Sequence, residues 1–190
     1  ADVLISLSSP GPDTVKQDWI RKMAKKSIVF VCANPIPEIY PYAAKEAGAY
    51  IVATGRGDFP NQVNNSLGFP GILKGALLVR ARKITDEMAI QAAYSIAKFA
   101  EKEGIHPERI MPTMDETEVF AYEAADVAME AIKNGVERIK LSRDYVFKTA
   151  LQDIKQSRAI VKALMDKKFI KSPPQGLFKE AIEKAIKAVK

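Results

Sequence analysis

The chain has 190 residues, 47% apolar and 27% charged, enough for a sizeable core and incompatible with wholesale disorder. One cysteine, Cys32, and one histidine, His106, exclude an internal disulfide framework and a cysteine-based zinc site, and leave little for a histidine-rich metal centre or a Ser-His-Asp triad. The net charge of +6 sits at one end: Lys148 to Lys190 carries eleven Lys/Arg against four Asp/Glu, whereas residues 1–147 carry 18 against 19, so no nucleic-acid-binding body is indicated.

The chain opens with Ala1-Asp2 and runs straight into Val3-Leu4-Ile5-Ser6-Leu7, a strand pattern with no lead-in. That start suggests a piece of a longer polypeptide, cut at a strand edge. Three short runs rich in β-branched residues follow one another at nearly even spacing: Val3–Leu7, Ile28–Cys32 and Tyr50–Ala53. Between the first two, Asp13 to Lys25 places Val15, Trp19, Ile20 and Met23 on one helical face. Between the second two, Pro41 to Gly48 predicts a shorter helix, entered at a proline and closed by a glycine. Strands separated by helices are βαβ units and build a parallel sheet; continuous rather than alternating apolar strands imply cover on both faces.

From Thr54 to Phe69 periodicity vanishes, leaving a long polar loop at a strand's carboxyl end, the edge at which open α/β sheets bind ligands. Pro70-Gly71 then reads as the start of a helix through Ile72, Leu73, Ala76, Leu77 and Val79. Thr85 caps the next helix, with Asp86 and Glu87 in its first turn, running to about Lys102. Asp115 followed by Glu118 resembles a capping box ahead of Val119, Phe120, Ala124, Val127, Ala128, Ala131 and Ile132, and Asn134-Gly135 ends that helix. Ser142 opens a helix to about Lys168, and Ser172-Pro173-Pro174 breaks the chain. The last helix, Leu177 to Lys190, puts Phe178, Ala181, Ile182, Ala185, Ile186 and Val189 on one stripe with lysines opposite. The plan is half of an α/β sheet domain followed by a run of helices.

Three places can carry chemistry. Ser8-Ser9-Pro10-Gly11-Pro12 follows the first strand; its small residues let a flat cofactor approach the backbone, or serve a turn that needs Gly and Pro. Asn34, in Ala33-Asn34-Pro35 after the second strand, offers an amide donor for a carboxylate or carboxamide, or bonds its own backbone in an Asn-Pro turn. Asn61, Gln62, Asn64 and Asn65 sit before a helix amino terminus, where amides and free N–H groups form a neutral cradle for an anion. Arg56 and Asp58 in the same loop read as an ion pair with each other. Gly55-x-Gly57 is followed by Pro60, so the dinucleotide glycine fingerprint is not here. His106 reads as solvent-facing, Cys32 as a small buried strand residue, and the Tyr and Trp residues as core. The basic last helix reads as packing on the body or on a partner subunit, with nucleic acid or a membrane surface the weaker readings. With no apolar run near the roughly 18 residues that span a bilayer and no leader pattern, no membrane partner and a cytoplasmic location are expected.

Thr54-Gly55-Arg56-Gly57-Asp58-Phe59-Pro60-Asn61-Gln62-Val63-Asn64-Asn65, with Phe69-Pro70-Gly71-Ile72, closely resembles the bacterial and archaeal form of malic enzyme. Ala33-Asn34-Pro35-x-Pro37-Glu38-Ile39, Gly75-Ala76-Leu77 and Val79-Arg80-Ala81 resemble the same family, and the likeness covers roughly residues 1–140. It implies an α/β fold with a partial Rossmann-like parallel sheet, helices on both faces and a helical C-terminal extension. Residues 1–141 would be the C-terminal part of an NAD(P)-binding domain and 142–190 the extension.

The resemblance further implies oxidative decarboxylation of L-malate to pyruvate and CO₂, with NAD or NADP reduced and Mg²⁺ or Mn²⁺ bound. Asn34, Asn64 and Asn65 would bind substrate, with Asn65 favoured over Asn64. Ser8, Ser9, Gly11, Asn34 and Asn65 would line the cofactor. The family's tyrosine acid, lysine base, carboxylate metal ligands and glycine-rich loop precede the segment resembled here and are not found in it. Catalytic and metal residues are therefore expected in the remainder of the polypeptide, the segment alone is expected to be inactive, and a homo-oligomer is expected. The competing expectations are a related amino-acid dehydrogenase-like domain and a non-catalytic cofactor-fold module for binding or assembly.

Overall fold

The computed structural model describes residues 1–171, 174 and 176–189. Three parallel strands, β1 (Val3–Ser6), β2 (Ile28–Val31) and β3 (Ile51–Thr54), pair in the order β1-β2-β3, with Val3 opposite Ile28 and Ile28 opposite Ile51. Helices α1 (Gln17–Arg21) and α2 (Pro41–Glu46) make the two crossovers. The side chains that alternate onto one face, Leu4, Val29, Val31 and Val52, pack with Val15, Ile20, Ile39, Ala44 and Ala47 under these helices. On the opposite face Ala53 is buried, while Val3 and Ile5 are 51% and 62% exposed.

Helix α1 is far shorter than the Asp13–Lys25 periodicity predicts, and Trp19 is 56% exposed. A helix of five residues turns one residue fully inward, and Ile20 takes that place. The expectation that the Tyr and Trp residues are core also fails for Tyr42, Tyr94 and Tyr145, which are exposed on helix surfaces.

The remaining helices are α3 (Asn65–Leu78), α4 (Asp86–Glu103), α5 (Glu118–Lys133), α6 (Arg143–Asp166) and α7 (Leu177–Val189). Two compact units result, residues 1–151 and 152–190, with α6 beginning in the first and ending in the second. In the first unit, Ala76, Val79, Met88, Ala92, Ala124, Val127, Ala128, Val146 and Ala150 form the core of α3, α4, α5 and the start of α6. Small residues let these helices approach closely: a Cβ at Gly75 would run into the carbonyl of Ala124. In the second unit α7 presents Phe178, Ile182 and Ile186 to solvent. The predicted break at Ser172-Pro173 and the side chain of Val189 lie outside the described residues.

Three helix starts test the capping logic. Thr85 caps α4 as predicted, its Oγ1 accepting from Met88 N at 3.3 Å. Helix α3 starts at Asn65, earlier than Pro70-Gly71, because the Asn64 side chain accepts from Ser66 N at 2.9 Å and caps it. Pro70 is thus inside the helix, where it lacks the N–H that Ser66 O would have received. At α5 the helix begins at Glu118 itself, so Asp115 is not its N-cap and Glu118 is not the fourth residue of a box. Glu116 instead accepts from Thr113 N and Oγ1 at 2.7 and 3.0 Å, and Thr117 precedes the helix with no side-chain cap.

Candidate functional site

Because the strands are parallel, the loops leaving β1, β2 and β3 emerge side by side at one sheet edge. The loop after β3 begins with Gly55, and two asparagines meet there. A Cβ on Gly55 would lie 3.1 Å from Nδ2 and 3.3 Å from Oδ1 of Asn34, so the Asn34 amide rests against the Gly55 backbone. Asn64 donates from Nδ2 to Gly55 O at 2.6 Å while its Oδ1 caps α3. Asn65 follows as the first residue of α3.

The amides of this edge divide by role. Asn64 has both ends of its side chain engaged. Asn61, buried at a φ of 58°, donates to Val52 O (3.0 Å) and Pro107 O (2.8 Å) and accepts from Ile110 N (2.8 Å). It therefore pins the 104–112 loop to the end of β3 and takes no part in an anion cradle. Gln62 lies against Gly57. Asn34 and Asn65 are exposed and make no side-chain hydrogen bond among the described residues. They are the unengaged amides of this edge, and the Asn34 side chain does not bond its own backbone.

The loop after β1 is held from below. Ser8 N and Ser8 Oγ donate to Glu38 Oε1 at 2.8 and 3.2 Å, Ser6 Oγ donates to the same oxygen at 2.8 Å, and Ala33 N donates to Glu38 Oε2 at 3.0 Å. Glu38 is fully buried. Burial opposes its charge, but the N–H groups of Ser8 and Ala33 and the Ser6 hydroxyl outweigh that and hold its carboxyl below the ordinary range. Ser9 is exposed. Gly11 has a φ of +143° and its carbonyl accepts from Thr14 N at 3.1 Å, a turn that glycine alone adopts without strain. Cys32, one residue past β2, is half-buried rather than buried; burial and then the nearby Glu38 charge push its thiol up.

Arg56 and Asp58 do pair: Arg56 Nε donates to Asp58 Oδ1 at 2.8 Å and Nη2 to Oδ2, and Nη1 reaches Pro35 O at 3.3 Å. The guanidinium stands 5.3 Å from the Phe59 ring centroid. His106 is exposed and remote in role, in a backbone bridge with Arg109. It borders a cleft of about 630 Å³ whose charges are already engaged: Arg109 with Glu116 and Glu108 with Lys45, both at 2.6 Å. Among the described residues no group of three His, Cys, Asp or Glu side chains is placed to hold a metal ion.

The residue that sequence reasoning passed over is Glu38. Its signal was a lone carboxylate in Pro35-Ile36-Pro37-Glu38-Ile39, a stretch otherwise without charge. The parallel sheet with helical crossovers, its loops gathered at the strands' carboxyl ends, defines an α/β domain of Rossmann-like type.

Known proteins narrow this class. The family model for the malic enzyme NAD-binding domain matches residues 1–134. The bifunctional malic/malolactic enzyme of Bacillus subtilis is 44% identical over 146 residues, covering 77% of this chain and 35% of that protein. The crystal structure of Entamoeba histolytica malic enzyme is 62% identical and superposes with a TM-score of 0.97, covering 100% of this chain and 39% of its own. The malic enzyme of Pyrococcus horikoshii is 50% identical with a TM-score of 0.80, covering 88% and 38%. The chain belongs to the malic enzyme family, and it spans between 35% and 39% of the length of these relatives.

Proposed function

We propose that this chain forms the substrate- and nicotinamide-facing part of the cofactor domain of an enzyme that converts L-malate to pyruvate and CO₂ with reduction of NAD or NADP. The observation that carries the reading is the convergence on Gly55: Asn34 lies against it, Asn64 is bonded to it, and Asn65 follows with a free amide. Neutral amides suit this task because they donate to a carboxylate or a carboxamide without a full charge that would hold product as tightly as substrate.

Held beside Asn34 and Asn65, a nicotinamide would supply the acceptor for the hydride of malate. Asn34 and Asn65 orient the carboxylate and the carboxamide toward each other, which is a proximity effect. Ser8, Ser9 and Gly11 line the dinucleotide side, where small side chains permit close approach of the backbone. Asn64 fixes the start of α3 and so aims Asn65. The described residues contain no metal-ligand cluster, so this segment does not fit Mg²⁺ or Mn²⁺ by itself. The metal ligands, acid and base are assigned to the remaining length of such a polypeptide, and the working form is a homo-oligomer. No helix among the described residues is long and apolar enough to cross a membrane.

The test uses the full-length polypeptide that carries this segment. It should reduce NAD or NADP only when malate is supplied. Asn34→Ala and Asn65→Ala should each lower kcat/KM for malate by an amount equivalent to roughly 2–4 kcal/mol. If both variants keep wild-type kinetics, the site is misassigned.

A further inference from the structure

Four hydrogen bonds converge on one buried carboxylate beneath the proposed site, and they come from two different loops. Ser6 and Ser8 belong to the end of β1 and its loop; Ala33 immediately precedes Asn34. The main chain of the same residue holds the far end of the β1 loop, because Glu38 O accepts from Val15 N at 3.0 Å. One residue therefore grips both ends of the loop that carries Ser8, Ser9 and Gly11, and also the peptide that carries Asn34.

We propose that Glu38 is the positioning residue of this site, fixing the dinucleotide-lining loop after β1 and the Asn34 amide after β2 at one separation. The inference rests on the functional reading above. The chemistry requires a carboxylate. An ionised carboxylate is an acceptor only, with about four lone-pair sites, and all four donors here point at it. Glutamine has one acceptor oxygen, and its NH₂ group must then face either Ala33 N–H or the Ser6 and Ser8 donors. Aspartate is a methylene shorter and cannot reach both loops from the same backbone. The carboxylate is also fully buried, so water cannot replace a lost partner. Losing one arm tilts either Ser8 or the Ala33-Asn34 peptide, and a misplacement of about 1 Å between hydride donor and acceptor costs on the order of 100-fold in rate.

The test is Glu38→Gln in the full-length enzyme, read as kcat and KM for malate and for NAD or NADP per folded active site, with the dinucleotide Kd measured separately. Turnover is expected to fall by roughly 30-fold or more, as misalignment requires, with the dinucleotide Kd changed by only a few-fold. Glu38→Asp should not rescue the rate. Should Glu38→Gln fail to fold, Ser6→Ala takes its place: it removes one donor from the carboxylate, together with the 3.1 Å contact between the Ser6 and Ser8 hydroxyls, while leaving every proposed ligand-lining side chain in place, and turnover should fall several-fold. A variant with a lowered Tm but wild-type kcat and KM per folded enzyme overturns the proposal while leaving the malate reading intact. A wild-type enzyme that does not act on malate overturns that reading, and the inference with it.

Discussion

Glu123 allows a quantitative test of the packing between α3 and α5. Its side chain is fully buried, neither carboxyl oxygen completes a hydrogen bond, and a Cβ added at Gly71 would overlap it. Burial pushes its pKa up to about 8; the N–H groups of Gly71 and Ile72 pull the other way without prevailing. In the unfolded chain the same group has an ordinary value of 4.5. Between these two values the native state keeps a proton that the unfolded state has lost, so stability falls as pH rises through that window and levels off above it. Each pH unit inside the window corresponds to about 1.4 kcal/mol. From pH 5 to pH 9 the loss is therefore about 4 kcal/mol, most of it below pH 8. Glu123→Gln cannot titrate, and Glu123→Met removes the polar group from an apolar contact. Urea unfolding of wild type and both variants at unit intervals from pH 5 to 9 measures the slope directly. Burying an amide or a thioether adds a constant offset, whereas the stability gap between variant and wild type should widen in the variants' favour as pH rises. Parallel stability curves across that range would refute the assignment of a neutral buried carboxyl.

Asn64→Ala removes the α3 cap and the bond to Gly55 O together. It should cost about 1–2 kcal/mol of stability by chemical denaturation, and it should raise amide hydrogen exchange in the first turn of α3. Gly75→Ala drives a methyl group into the backbone of α5 at Ala124, which a side-chain rotation cannot relieve. It should destabilise by about 1–3 kcal/mol in the same assay.

The strands were legible because a buried parallel strand needs only a short β-branched run, and each of the three runs carries its own signal. The α4 start was legible for the same local reason, since Thr85 bonds an N–H three residues away. At α3 two local signals competed. Pro70 looked like a start, but the Asn64 cap satisfied an earlier N–H and the proline was carried inside the helix. Trp19 failed differently: its spacing was helical, but the helix is too short to bury a second residue.

The site divides along the same line. Residue types and order along the chain are enough to mark Asn34, Asn64 and Asn65 as amides near strand ends and to link the long loop to one family. Which amides are free is a question of partners distant in sequence. Asn61 is consumed by Pro107 and Ile110, and Asn64 by Gly55, while Asn34 and Asn65 remain open. Two glutamates show the division most sharply. Glu38 and Glu123 are the same side chain, equally buried, yet the carboxyl of one receives four hydrogen bonds and neither oxygen of the other completes any. Local sequence names the chemical group. Its charge, its partners and its part in the site depend on donors brought from other strands and helices, because the electrostatics of a buried group are set by what surrounds it in space.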